Sequence, residues 1–212
     1  MLITISREYL AGGSNVASTV AAALGWTVID DDFIDAVAER SGFTPDDVRS
    51  LEESVPSFME RFAQFSALSS PETLMSTPSA IEGPATVELA HVTREVIEEL
   101  SLRDRMVFVG RAAAAILAGE REAIHVRLVA PLQVRVLAAT CERGMTEEEA
   151  EVVVRERDEG RARYHQELFG RDWNDASNYH MVLNTDALGM SGTAEIIVAR
   201  AKALGWMGAD RG

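Results

Sequence analysis

The chain has 212 residues, of which 47% are hydrophobic, and its formal net charge is −14 at pH 7. This length and apolar content suit one medium-sized domain with a sizeable core, and no apolar run approaches the roughly 20 residues of a membrane-spanning helix. The negative charge argues against a nucleic-acid polymer or an anionic membrane surface as partner. Binding of small phosphorylated ligands is compatible with this net charge, because salt screens protein charges that lie more than about 10 Å from a binding site.

The cysteine content and the first residues bear on the compartment. The single cysteine, Cys141, excludes an intramolecular disulfide and fits a reducing environment. A strand pattern follows Met1 directly, without the basic segment and the long apolar stretch of a signal peptide. We therefore expect a cytoplasmic protein.

The opening residues predict a strand, a loop that contains glycine, and a helix. Residues 2–5 are an apolar run of strand length, and a loop then ends in Gly12 and Gly13. Ser14 is predicted as the N-cap of a helix that reaches Leu24. This layout is typical of a phosphate-binding loop, because backbone N–H groups and the positive end of the helix dipole converge on the anion.

This loop departs from the phosphate-loop consensus G-x-x-x-x-G-K-[ST]. With Ser14 aligned on the last consensus position, Gly12 also matches. Arg7 stands where the first glycine belongs, and Gly13 stands where the lysine belongs.

We predict that main-chain amides of the loop hold a phosphate. The residues concerned are Gly12, Gly13, Ser14 and Asn15. The Ser14 hydroxyl is expected to bind Mg²⁺ or to cap the helix, and Arg7 could bring charge that replaces the lysine. Two alternatives stay open: an ordinary turn with a serine cap, and an Arg7 side chain that pairs with Glu8 or Asp30.

The rest of the chain alternates between strand and helix patterns. Strands are predicted over 27–29, 106–109, 123–130 and 179–183, and helices over 33–41, 44–54, 56–67, 84–102, 112–117, 131–143, from Thr146 through the following arginine-rich segment, and over 191–204. Five strands separated by helices predict an α/β fold with three layers, a doubly wound and mostly parallel five-stranded sheet, in a single domain over 1–212.

Small, acidic and arginine residues follow the predicted strands. In open parallel sheets, ligands bind beyond the carboxyl ends of the strands. Asp30 follows the second strand and could reach a substrate hydroxyl or a metal-bound water, or an aspartate of 30–32 could cap the next helix. Arg111 follows the third strand at the same edge.

The arginine-rich segment 155–163 is a second candidate site. Arg157 and Arg161 are four residues apart and share a helix face, and planar guanidinium groups match the charge of a transferred phosphoryl group. The alternative is a solvated helix with glutamate–arginine pairs four residues apart. Those pairs would be Glu151–Arg155 and Glu159–Arg163.

Two other groups of side chains receive weaker predictions. Phenylalanines at 58, 62 and 65 fit a packing stripe, a substrate-side wall or a homodimer contact. The four histidines, His91, His125, His165 and His180, lack metal-ligand spacing, and we assign none of them a metal.

Several segments, in order and spacing, resemble one known family. They are 3–9 with Gly12 and Gly13, 28–31, 108–111, 125–132, Arg157 with Asp158, and 179–185. Together they resemble the cytidylate kinase-like family, a branch of the nucleoside monophosphate kinases. The resemblance implies a P-loop kinase fold, ATP with Mg²⁺, and a pyrimidine monophosphate acceptor such as CMP.

The resemblance also implies roles for individual residues. Gly12, Gly13 and Ser14 fall on the phosphate loop, Asp30 and Arg111 on the acceptor side, and Arg157 and Arg161 on a lid. We expect the helical lid over 144–172 and a variable acceptor-side insertion over 55–83. The loop lysine of the family is absent here, and its Gly-Arg-Asp motif is Gly110-Arg111-Ala112 in this chain.

Two function hypotheses follow. The first is an ATP-dependent nucleotide kinase acting on a monophosphate such as CMP, by positioning and charge stabilisation. The second is a nucleotide-binding regulatory protein, or pseudokinase, which kept the fold and lost phosphoryl transfer; the missing lysine favours it. A dinucleotide-dependent oxidoreductase is disfavoured, because G-x-G-x-x-G is absent after the first strand.

Overall fold

The computed structural model describes residues 1–42, 44–46, 48, 84–120 and 122–206. The strands are β1 (Leu2–Arg7), β2 (Thr27–Ile29), β3 (Met106–Val109), β4 (Ala123–Val129) and β5 (Met181–Asn184). The helices are α1 (Gly13–Leu24), α2 (Asp31–Ser41), α3 (Pro84–Ser101), α4 (Ala113–Ile116), α5 (Leu132–Arg143), α6 (Glu147–Phe169) and α7 (Thr185–Ala203). A 3₁₀ turn, Ala176–Asn178, precedes β5.

The strands form one sheet in the order β2-β3-β1-β4-β5, and every pairing is parallel. β1 lies at the centre, where Ile3 is beside Val107 of β3 and Ile124 of β4. The predicted doubly wound α/β fold is confirmed, with a wholly parallel sheet. The carboxyl ends of all five strands consequently lie along one edge of the sheet. Asp30 and Arg111, which follow β2 and β3, lie at this edge.

The sheet is buried on both faces. In β3, Val107 and Val109 join the core formed with α1 and α7, whereas Met106 and Phe108 face the core formed with α2, α3 and α6. This alternation explains why β3 is continuously apolar: a strand covered by helices on both faces has no polar side. Each such side chain, once buried, contributes roughly 1.5–3 kcal/mol.

The start of α1 differs from the prediction, whereas the start of α6 agrees with it. The N-cap of α1 is Gly12 and the helix begins at Gly13, so the prediction that Ser14 is the N-cap is wrong. Gly12 has a φ of 77°, a left-handed conformation open to glycine at little cost, and this brings the helix start forward. The predicted start at Thr146 is confirmed, since its hydroxyl and Glu149 form a capping box.

The last helix begins earlier than predicted. The Asn184 side chain accepts hydrogen bonds from the N–H groups of Asp186 and Ala187, and α7 therefore begins at Thr185 rather than at 191. Gly189, with φ 68° and ψ 163°, interrupts the helix. This break separates the first turn from the long segment predicted over 191–204.

The acceptor-side prediction lies almost wholly outside the described residues. This concerns residues 55–83 with the three phenylalanines, and most of the helix predicted over 44–54. Among the helices that the structure describes, none is both long and apolar enough to cross a membrane.

Candidate functional site

The loop from β1 to α1 contains two residues in left-handed conformations. Leu10 and Gly12 adopt left-handed conformations with φ of 62° and 77°, which turn the chain sharply into α1. For Leu10 this costs about 1–2 kcal/mol. In the described part of the chain, no side chain caps α1. The amides of its first turn therefore lie at the positive end of a 12-residue helix dipole.

Two predicted site residues, Ser14 and Asp30, are in direct contact. The Ser14 Oγ donates a hydrogen bond to Asp30 Oδ2 at 2.8 Å, and Ser14 is exposed. Asp30 follows β2 and is the N-cap residue of α2, but its carboxylate bonds Ser14 and does not cap that helix. A hydroxyl and a carboxylate beside a phosphate loop are the oxygen donors that Mg²⁺ accepts, usually together with water and substrate phosphates.

The two loop glycines are each covered by a side chain. A Cβ added to Gly13 would lie 2.7 Å from Cγ of Arg7, so the stem of Arg7 lies directly on Gly13. A Cβ on Gly12 would lie 2.3 Å from Sδ and Cε of Met190, which comes from α7 just after the Gly189 break. The stem of Arg7 thus lies at the loop, and Met190 is a neighbour that the sequence did not indicate.

The turn after β3 carries Arg111 in a strained backbone. Gly110, Arg111 and Ala112 are all left-handed, with φ of 68°, 55° and 52°. The Gly110 N–H donates to the Ile5 carbonyl, which places this turn beside the end of β1. Arg111 Nη1 donates to the Val48 carbonyl at 2.8 Å. Consecutive left-handed residues other than glycine are expensive and often occur at functional sites.

The arginine-rich segment combines solvated pairs with a buried guanidinium. Both predicted pairs form, with N–O distances of 2.6 Å for Arg155–Glu151 and 3.8 Å for Arg163–Glu159. Arg161 is only 2% exposed. Arg157 is half-buried. The helix therefore carries arginines in two environments. The glutamate–arginine pairs lie toward solvent, whereas Arg161 is buried.

Sequence reasoning gave no role to the ion-pair network behind the loop. Asp158 accepts hydrogen bonds from the Tyr9 N–H at 2.7 Å, from Arg135 Nη1 at 2.5 Å and from Arg161 Nη1 at 3.3 Å. Glu8 accepts from the Ala130 N–H at 3.0 Å and lies 3.4 Å from Arg135 Nε. One signal existed: Arg135 is the only charged residue in the segment 132–141 of α5.

A second buried arginine, Arg127, was also missed. It is 3% exposed, its guanidinium lies 3.9 Å from the centroid of the Trp173 ring, and it donates to Asn174 Oδ1 at 2.8 Å and to the Trp173 carbonyl. Trp173 Nε1 donates in turn to Ser6 Oγ at 2.8 Å. This cluster anchors the segment before β5 to the carboxyl end of β1.

Two of the four histidines form a pair. The rings of His125 and His180 are stacked, with centroids 5.1 Å apart, and the His125 N–H donates to His180 Nδ1 at 2.8 Å. Burial, helped by His180 and Arg171, lowers the pKa of His125 to about 4. Among the described residues, no three His, Cys, Asp or Glu side chains form a group that could hold a metal ion.

A parallel sheet in the order β2-β3-β1-β4-β5, with a glycine loop between its central strand and the following helix, is the fold of the P-loop kinases. Within that class, the chain belongs to the cytidylate kinase-like family, whose model matches residues 2–187. The resemblance drawn from the sequence is thereby confirmed.

Solved structures share the fold at low sequence identity. An uncharacterised protein from Eubacterium ventriosum ATCC 27560 has a TM-score of 0.66 and 18% identity, covering 96% of this chain and 98% of that one. Shikimate kinase from Bacteroides thetaiotaomicron has a TM-score of 0.54 and 18% identity, covering 96% and 97%. A gluconokinase from Sinorhizobium meliloti 1021 has a TM-score of 0.51 and 13% identity, covering 96% and 95%. A comparison with curated proteins gives no match to this chain.

Proposed function

We propose that this protein is a nucleotide kinase that transfers the γ-phosphoryl group of ATP to a nucleoside monophosphate such as CMP. The observation that carries the proposal is the contact between Ser14 and Asp30 beside the start of α1, which no described side chain caps. It puts oxygen donors suited to Mg²⁺ next to amides suited to phosphate. Membership of the cytidylate kinase-like family supports a phosphotransferase.

Each predicted site residue has a place in this proposal. The amides of Gly12, Gly13, Ser14 and Asn15 bind the phosphates of ATP, and the Ser14 hydroxyl and Asp30 would hold the metal. When bound, Mg-ATP supplies the phosphoryl group and part of its charge neutralisation. Asp30 and Arg111 orient the acceptor. Arg7 and Arg157 supply positive charge, with α6 as the lid, and the buried Arg161 holds Asp158 behind the loop.

A second candidate is a nucleotide-binding protein without transfer activity. The observation in its favour is the pair of Gly13 and Arg7: glycine stands in the place of the loop lysine, and the Arg7 stem lies on it. A lysine at that place normally reaches the β- and γ-phosphates. This candidate keeps the phosphate loop and gives up turnover.

Two measurements separate the candidates. Thermal unfolding with and without millimolar Mg-ATP tests binding, because a ligand that binds the folded state raises the midpoint. A coupled assay for ADP release then tests CMP, other monophosphates, shikimate and gluconate as acceptors. Stabilisation together with ADP release for a monophosphate supports the kinase. Stabilisation with no release above the background ATPase leaves the binding protein, and no stabilisation contradicts both.

A further inference from the structure

The backbone N–H and carbonyl of Tyr9 are both hydrogen-bonded to side chains of two helices, α5 and α6. Its N–H donates to Asp158 Oδ1 at 2.7 Å, and its carbonyl accepts from Arg135 Nη1 at 3.3 Å. Asp158 and Arg135 are themselves paired at 2.5 Å. The first residues of the phosphate loop are therefore fixed by α5 and α6, which lie outside the loop.

The conformation held in this way is one that the chain does not prefer. Leu10, the next residue, is left-handed with a φ of 62°, and Gly12 follows with a φ of 77°. A strained backbone persists only where its surroundings over-determine it. The Asp158 carboxylate is a charged acceptor, which makes its bond to the Tyr9 N–H stronger than one between neutral groups.

The Asp158 carboxylate belongs to α6, the proposed lid helix, and its bond to Tyr9 joins that helix to the loop. Asp158 follows Arg157 in α6, and it lies 3.3 Å from Nη1 of the buried Arg161. A shift of α6 by about 1 Å away from the loop would lengthen the bond to Tyr9 beyond hydrogen-bond distance. The position of α6 and the shape of the loop are thus mechanically linked through one side chain.

We propose that Asp158 is a positioning residue which couples the docking of α6 to the phosphate-binding shape of the loop, and so raises the affinity for a polyphosphate chain. The proposal rests on the proposed phosphate-binding role of the loop. Asp158 itself does not contact the ligand. Its carboxylate holds the Tyr9 peptide, and the loop amides that follow bind the anion.

The test compares Asp158→Asn with wild type. Asparagine keeps the shape but loses the charge, and it can turn an N–H₂ donor toward Arg135 or Tyr9. We expect the Kd for inorganic tripolyphosphate with Mg²⁺, measured calorimetrically well below the unfolding midpoint, to rise at least tenfold. Asp158→Glu should recover part of the affinity. Glu151→Gln is the matched control, because it removes an exposed carboxylate from the same helix, and its Kd should equal that of wild type.

The outcomes distinguish this proposal from the proposed function. If wild type and Asp158→Asn bind tripolyphosphate equally, the positioning role is wrong and the kinase proposal stands. If wild type binds neither tripolyphosphate nor Mg-ATP, the proposed function fails, and the positioning role fails with it. A purely structural Asp158 would lower the unfolding midpoint without changing the Kd of the folded variant.

A second measurement applies if Asp158→Asn does not fold. Hydrogen exchange of the wild-type protein is followed with and without tripolyphosphate. We expect slower exchange in peptides that cover 8–13 and in peptides that cover 155–162. Protection confined to the loop would overturn the proposal.

Discussion

The hydroxyl of Ser14 donates to the carboxylate of Asp30 at 2.8 Å, and this contact joins the start of α1 to the end of β2. Because Ser14 is exposed, the bond adds little to stability, about 0.5–1.5 kcal/mol. We expect Ser14→Ala to weaken Mg-ATP binding at least tenfold while the free energy of unfolding changes by about 1.5 kcal/mol or less. Calorimetric titration and urea unfolding measure the two effects.

Thr19→Ala is the control for this variant. Thr19 is also an exposed hydroxyl residue of α1, and its Oγ1 donates within the helix to the Asn15 carbonyl at 2.9 Å. Its Mg-ATP affinity should equal that of wild type. Equal weakening by both substitutions would mean that Ser14 acts through the helix and not through a metal.

Gly12→Ala tests the proposed phosphate loop through a comparison with Gly25→Ala. Both glycines are left-handed, with φ of 77° and 68°, and they stand at opposite ends of α1. Alanine in this conformation costs about 1–2 kcal/mol, so we expect similar losses of unfolding free energy. The Met190 thioether that meets a Cβ at position 12 is a flexible end and can move aside. Mg-ATP affinity should fall only for Gly12→Ala; an equal affinity in both variants would contradict the phosphate loop.

Arg157→Ala tests whether α6 contributes charge to the reaction. Arg157 is half-buried, whereas its control Arg155 is exposed in a solvated pair with Glu151. Exposed pairs of this kind contribute about 0.2–1 kcal/mol. We expect Arg157→Ala to lower kcat more than 100-fold with a small loss of stability, and Arg155→Ala to change neither. A loss of stability that matches the loss of turnover would make Arg157 structural.

The stability of the protein should depend on pH through His125. Burial, with His180 and Arg171 nearby, lowers the pKa of His125 to about 4, below its ordinary value of 6.5. Between these values the unfolded chain binds more protons at this residue than the folded chain does. The free energy of unfolding should therefore rise from pH 4 to pH 6.5, by on the order of 3 kcal/mol from this group, and the contribution levels off above about pH 7.5.

Urea unfolding at pH 4.5, 5.5, 6.5 and 7.5 measures this slope. His125→Gln should flatten the slope between pH 4.5 and 6.5, although its overall stability will also fall because the Thr4 Oγ1 bond to the ring is lost. His91→Gln, at an exposed position of α3, is the control for the loss of a histidine. An unchanged slope in His125→Gln would show that other groups carry the pH dependence.

Local chemistry explains what the sequence predicted correctly. The strand at 106–109 was placed with its observed ends, because a strand buried on both faces is an apolar run bounded by polar or glycine residues. The start of α6 followed from Thr146 and Glu149, whose two hydrogen bonds are set by residues three positions apart. At the start of α1, serine and glycine are both accepted as N-cap residues. N-cap propensity alone favours Ser14, whereas the observed N-cap is Gly12.

Only part of the candidate site could be predicted from the sequence, and the reason is topological. Ser14, Asp30 and Arg111 could be placed at one edge because the topology of a parallel sheet brings strand ends together. The contact of Tyr9 with Asp158 spans 149 positions, and no periodic pattern encodes it. The stacking of His125 on His180 likewise depends on how the segment before β5 lies against β4, which spacing along the chain does not reveal.

Arg7 and Gly13 are an exclusive pair, and this has an evolutionary consequence. Because the Arg7 stem occupies the space of a side chain at position 13, a lysine introduced there would collide with the Arg7 side chain. A mutational path from this loop to the common lysine-bearing loop must therefore pass through a change at position 7, before or together with position 13.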